Sequence, residues 1–182
     1  IKEYNKLKPE VKFNLINLNS IDLIEDRYKP EIDLTICYNS KHQSNSISKI
    51  LKKGRHKLVS PKSYNLNNDV DLNNISHLPF IEVTNLLSFY EESSINEYIK
   101  NENIGINTII KTDSYNSALS LVESGLGISI LDENTCNKAD QKQVNISNIL
   151  GKEFLYTIHA IKKDIVRNES NEFFNYLSQQ IL

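Results

Sequence analysis

Tryptophan and methionine are absent from the 182 residues, and glycine (5), proline (4) and cysteine (2) are scarce. The five glycines form neither a Walker loop nor a dinucleotide fingerprint, and there is no Gly-x-Ser-x-Gly elbow and no His-Glu-x-x-His pair. Cys37 and Cys136 stand far apart at no metal or redox spacing, which reads as two reduced thiols in a cytosolic protein. His42, His56, His77 and His159 are scattered without carboxylates at metal-site spacing, so each reads as a surface or strand-edge residue. No metal, no cofactor and no catalytic residue is expected. There is no apolar run of about 18 residues and no leader-like segment at Ile1, so the chain is expected to be soluble, cytoplasmic and without a membrane partner. With 21 basic and 23 acidic residues, net charge −2, it presents no general surface for a phosphate backbone.

What the chain has in excess is asparagine and isoleucine, 24 of each, against only 3 alanines. That is the mark of codon bias, and it weakens any argument from one asparagine. Three glycosylation-type triplets, starting at Asn74, Asn145 and Asn168, are what such a composition produces by chance. The asparagines are interleaved with periodic apolar positions instead of forming a low-complexity block, so the chain should fold.

Along the chain, strands and helices alternate. Ile1 to Pro9 has the look of a helix end, with Tyr4 and Leu7 on one face and Pro9 as the stop. Val11 to Leu18 is expected as a strand, followed by Asn19 and Ser20 capping a helix through Ile21, Ile24 and Tyr28. Ile32 to Tyr38 is a compact apolar run, the pattern of a strand covered on both faces. Ser46 to Leu51 is read as a short helix, Lys52 to Arg55 as a basic turn, and Pro61 to Pro79 as a long polar connector. Beyond it Phe80 to Val83 is a strand, and Ser94 with Glu97 has capping-box spacing ahead of Ile95, Tyr98 and Ile99. Asn107 to Lys111 is the next strand. Asp113 and Ser114 open a helix with Tyr115, Ala118, Leu119 and Val122 on one face, ending at Gly125 or Gly127 before a strand at Ile128 to Leu131. Phe154 to Ile161 is a further strand, and Phe173, Phe174, Leu177 and Ile181 mark a closing helix. This order argues for an α/β fold with parallel sheets and helices on both faces.

Small polar residues recur where strands end and helices begin: Asn19 and Ser20, Tyr38 and Asn39, Thr84 and Asn85, and Asp113, Ser114 and Tyr115. In open parallel sheets that edge is where ligands bind, because the following helices offer N–H donors and positive dipole ends. None of these residues is Arg or Lys, which favours a neutral or zwitterionic small molecule over a dicarboxylate.

The run Ser-Ala-Leu-Ser-Leu-Val-Glu-Ser-Gly-Leu-Gly-Ile-Ser-Ile-Leu, residues 117–131, resembles the stretch in LysR-type transcriptional regulators where a helix ends in Val-x-x-Gly-x-Gly-Ile and enters a strand. Read alone, Ser124-Gly125-Leu126-Gly127 is a helix C-cap. Lys8-Pro9-Glu10-Val11-Lys12-Phe13 is similar to the family's Tyr-Pro-x-Val entry, Glu31-Ile32-Asp33-Leu34-Thr35-Ile36 to its Leu-Asp-hydrophobic-Ala-Ile strand, and Lys57-Leu58-Val59-Ser60-Pro61 to its next edge. Order and separations agree from Leu7 to Leu182.

The resemblance implies an effector-binding domain of two Rossmann-like lobes joined by two crossover strands, a type 2 periplasmic-binding-protein-like architecture. Lobe I would be residues 1–79 plus 155–182 and lobe II residues 80–154, with crossings near Phe80 and Phe154. It further implies a small-molecule effector between the lobes, met by the nine residues named above, and assembly as a homodimer or homotetramer in a bacterial cytoplasm. The family's winged helix-turn-helix and linker helix would precede Ile1, as would the first strand of lobe I, so DNA would be met only through that N-terminal part. The rival readings are a solute-binding protein of a transport system and an enzyme such as a dehydratase, for which Asp113 is the one acid or base available.

Overall fold

A period of two in side-chain burial runs through the middle of the chain and organises it. In the computed structural model, which describes residues 1–16, 32–38, 46–84, 95–164 and 166–179, neighbouring strand residues send their side chains to opposite cores. Strand β2 (Ser46–Pro61) contributes Leu58 to one core and Val59 to the other, β4 (Pro79–Val83) contributes Phe80 and Ile81, and β6 (Ser129–Asp132) contributes Ile130 and Leu131. The first core is closed by helix α2 (Leu72–Ile75) through Leu72 and Ile75, with Ile95, Tyr98 and Ile99 of α3 (Ile95–Asn101) packed against it. The second is closed by α4 (Tyr115–Glu123) through Ala118, Leu119 and Val122, with Cys136 of α5 (Glu133–Cys136). A sheet covered on both faces by helices is the Rossmann-like arrangement expected from the sequence.

The compact units are Gly54–Tyr156, which holds both of these cores, and Ile1–Lys53 with Thr157–Leu182. Within Gly54–Tyr156, β4 pairs in parallel with β5 (Asn107–Thr112), and Phe80 bridges in parallel to Ile128, the residue just before β6. β6 and β7 (Val144–Ile149) both pair antiparallel with β2, and β7 pairs in parallel with β3 (Asp69–Val70). The sheet is therefore mixed, not wholly parallel.

In the other unit, β1 (Leu34–Tyr38) pairs antiparallel with β8 (Leu155–Lys163), Leu34 opposite Lys162. Helix α1 (Lys2–Leu7) lies against α6 (Asn168–Gln179) through a cluster of rings: Tyr4 is 4.9 Å from Phe173 and 5.0 Å from Tyr176, and Phe13 is 4.9 Å from Phe173. Offset and edge contacts of this kind add about 0.5–1.5 kcal/mol per pair beyond area burial. Lys8 ion-pairs Glu172 at 3.1 Å and Arg167 pairs Asp33, both at the surface, where such pairs contribute little.

Several expectations need correction. Ser46–Leu51 is not a helix and Lys52–Arg55 is not a turn: both belong to the continuous strand β2. Gly54 is there because the ring of Tyr156 crosses the strand, so that a Cβ would stand 2.4 Å from the ring carbon Cζ. The compact units divide at Lys53/Gly54 and Tyr156/Thr157, inside β2 and β8. Val11–Ile16 carries no strand; Phe13 is anchored by its ring instead. β1 is not covered on both faces, since Ile36 is 54% exposed. Pro61 to Pro79 is no bare connector, because it holds a 3-10 turn, β3 and α2. The expected helix after Ser20, and Ser94 of the capping box, lie outside the described residues.

Gly125 ends α4 in the left-handed region, φ +83°, and Gly127 passes so close to β4 that a Cβ would meet the Pro79 carbonyl oxygen at 2.5 Å. No described helix is long and apolar enough to cross a membrane. Cys136 is buried, with Sγ 3.7 Å from the Leu131 carbonyl, and burial together with the charge of Asp132 pushes its thiol up to about 12.

Two predictions follow from this packing. Gly54→Ala forces a methyl into the Tyr156 ring and is expected to lower stability by about 1–3 kcal/mol in urea denaturation, whereas Gly105→Ala, with nothing within 4 Å of the new Cβ, should leave the midpoint within experimental scatter. Equal losses in both variants would contradict the assignment. Native protein treated with a disulfide reagent at neutral pH should leave Cys136 unlabelled until denaturant is added.

Candidate functional site

Parallel pairing brings strand ends to one edge. Thr84 at the end of β4 donates its N–H to the Thr112 carbonyl at 2.7 Å, and its hydroxyl donates to the same oxygen at 3.3 Å. Two residues on from Thr112, Ser114 caps α4: its Oγ accepts from the Ser117 N–H at 3.3 Å while its own N–H donates to Thr112 Oγ1 at 3.2 Å. The sequence folds this way because Ser114 has extended backbone, φ −119° and ψ 121°, and the apolar face of Ala118, Leu119 and Val122 then turns inward. Thr84 and Asp113 are exposed, and Ser114 and Tyr115 half-buried, so this corner presents hydroxyls, a carboxylate and the N–H groups of the first turn of a nine-residue helix.

Two residues complete the edge that the sequence pattern did not single out. Asp132 is the last residue of β6 and stands opposite His56 of β2. Asp132 is fully buried and satisfied locally: Oδ1 accepts from the N–H groups of Asn134 and Thr135 at 3.0 and 3.1 Å, and Oδ2 from the Thr135 hydroxyl at 2.5 Å. It is the N-cap of α5, a role its place after the apolar run Ile128–Leu131 would have signalled. His56 is half-buried, with Nε2 at 3.0 Å from the Tyr115 hydroxyl and Nδ1 at 3.2 Å from the Phe154 carbonyl, and its ring lies edge-on to Tyr156 at 5.3 Å. Burial lowers its pKa below the ordinary 6.5, against the opposing pull of the Phe154 carbonyl and of Asp132. It is not the surface or strand-edge residue expected.

Of the nine expected site residues, the structure thus gathers Thr84, Asp113, Ser114 and Tyr115 at one edge of Gly54–Tyr156. Tyr38 closes β1 in the other unit, half-buried and opposite Ile158. Asn19, Ser20, Asn39 and Asn85 lie outside the described residues. Among the described residues no group of three or more His, Cys, Asp or Glu could hold a metal ion.

The family model described as LysR substrate binding domain matches residues 1–162. None of the curated proteins matches the sequence. Among solved structures, the chain is similar to the regulatory domain of CcmR from Synechocystis in complex with 2-PG, with a TM-score of 0.82 at 12% identity, covering 99% of this chain and 88% of that one. It is similar to the effector-binding domain of QuiR in complex with shikimate, TM-score 0.76 at 15% identity, covering 99% and 87%. It is also similar to full-length CbnR in complex with its target DNA, TM-score 0.73 at 11% identity, where all of this chain spans only 63% of that one. At such identities the likeness is one of fold.

The lowered pKa of His56 has a definite sign in stability. A histidine that is harder to protonate when folded supplies full stability above its unfolded value near 6.5 and loses it as pH falls through that value toward the lowered folded one. Urea midpoints measured from pH 7.5 down to 5 are expected to fall more steeply for the native chain than for His56→Gln. Parallel slopes would show that His56 is not buried as described.

Proposed function

The chain belongs to the LysR substrate-binding domain family, and from that membership we propose that it is the ligand-sensing domain of a LysR-type transcription regulator, taking a small-molecule effector between its two lobes as the resemblance implies. In the Gly54–Tyr156 unit the contacts would be Thr84, Asp113, Ser114 and Tyr115; Tyr38, Asn19, Ser20, Asn39 and Asn85 would add theirs. The observation that carries the reading is the level ending of β4 and β5 at Val83 and Thr112, with Thr84 and the N-terminus of α4 beside them. The match over residues 1–162 favours a regulator over a transport solute-binding protein.

The edge is built for holding, not for turnover. Hydroxyls and helix N–H groups can orient a polar molecule, and Asp113 sits exposed beside the Ser114 cap. An effector biases the protein only by the difference in its affinity for two arrangements. DNA contact would come from a helix-turn-helix outside these residues, and the whole regulator would act in the cytoplasm as a homodimer or homotetramer. The absence of Arg and Lys from the named contacts favours a neutral or zwitterionic effector.

A thermal-shift panel of small metabolites, shikimate and 2-PG included, tests the reading. A true effector at about 100 times its Kd stabilises by about 2.7 kcal/mol. Its shift is expected to shrink in Ser114→Ala and Thr84→Val after each variant's own stability is subtracted, the cap loss itself being about 1 kcal/mol. A shift that survives both substitutions unchanged would move the site elsewhere.

A further inference from the structure

Thr84 and Ser114 reach the candidate site from different elements, one from the end of β4 and the other from the N-cap of α4. Thr112, half-buried at the end of β5, is the one described residue bonded to both. Its carbonyl oxygen accepts from the Thr84 N–H at 2.7 Å and from the Thr84 hydroxyl at 3.3 Å, and its Oγ1 accepts from the Ser114 N–H at 3.2 Å. The chain of bonds continues into the helix, where Ser114 Oγ accepts from the Ser117 N–H at 3.3 Å and the Ser114 carbonyl from the Ala118 N–H at 3.0 Å. Any residue at position 112 would offer the carbonyl. The oxygen that receives Ser114 belongs to the side chain, and a valine of the same shape lacks it.

We propose that Thr112 is a positioning residue of the effector site, its hydroxyl holding the Ser114 backbone in the conformation that makes the cap while its carbonyl holds Thr84 beside it. A serine caps a helix only from extended backbone, here φ −119° and ψ 121°. Without Thr112 Oγ1 the Ser114 N–H is left without its acceptor, and turning it toward water rotates the same backbone and swings Oγ away from the Ser117 N–H. The two contacts are thus fixed relative to each other by one residue behind them, and an effector that meets both need not supply the ordering itself. The site role rests on the reading of this edge as the effector site; the link from Thr112 to the cap does not.

Thr112→Val and Thr112→Ser, each alone and combined with Ser114→Ala, test both parts. In amide NMR of the unliganded domain the Ser114 N–H is expected to move upfield in Thr112→Val, with the Ser117 N–H moving too, and both should return toward their native positions in Thr112→Ser. An unmoved Ser114 or Ser117 amide overturns the link. The urea midpoint should fall in Thr112→Val and in Ser114→Ala, and the double variant should fall by less than the sum, because no cap is left to position. Strict additivity would make Thr112 a packing residue only and overturn the proposal. Binding is then measured with shikimate, 2-PG and the metabolites retained by the panel above. Affinity should weaken about tenfold in Thr112→Val, the equivalent of one hydrogen bond, stay near native in Thr112→Ser, and fall no further when Thr112→Val is added to Ser114→Ala. A retained metabolite that binds Thr112→Val as tightly as the native chain overturns the site role. If no metabolite responds to Ser114→Ala or Thr84→Val, it is the effector-site reading that fails, while the link to the cap stands or falls on the amide shifts and midpoints.

Discussion

The parallel seam that joins β4 to its two neighbours governs the Gly54–Tyr156 unit. Ile81 donates to the Ile128 carbonyl and Ile128 to the Pro79 carbonyl, both at 2.8 Å, while on the other side Thr84 donates to Thr112. Antiparallel strands could scatter their ends to both edges, but parallel strands must finish together, and each must then leave through a helix or loop on that side. Everything polar at the candidate site follows from this. Thr84, Thr112 and Asp132 lie where strands stop, Ser114 and Asp132 cap the helices that follow, and β2 brings His56 up against the same edge.

The seam also explains why two cores suffice. Phe80 and Ile81, one residue apart, enter opposite clusters, as do Leu58 and Val59 and then Ile130 and Leu131. Shifting any one of these strands by a single residue would exchange the two faces, sending Ile81 toward α2 and Phe80 toward α4, so register and core are a single constraint. A rigid frame of this type holds hydroxyls and an imidazole at fixed separations without any of them being part of the core.

Much of this is legible in the sequence. The helix at Tyr115–Glu123 announced itself through Ala118, Leu119 and Val122, and its cap through Ser114, because a 3.6-residue period and a capping hydroxyl are local signals. β4, β5 and β6 were visible as short apolar runs. β2 was hidden, since Lys49, Lys52, Lys53 and Arg55 stud its outer length and Gly54 reads as a turn when its real partner, the Tyr156 ring, is about a hundred positions away. With that strand read as a turn, His56 reads as a surface residue. β7 is hidden for a similar reason: Asn145, Ser147 and Asn148 dilute its apolar pattern, and its ladders to β2 and β3 reveal it. Long-range pairing, not local propensity, makes both strands.

The close pass of Gly127 over the Pro79 carbonyl reaches beyond stability. It closes the short turn between α4 and β6 to grafting, because a peptide inserted there, a reporter protein spliced in, or a side chain added to carry a dye would have to lift the backbone off the very oxygen that receives Ile128. A biosensor built on this scaffold therefore has to take its insert at some other surface turn.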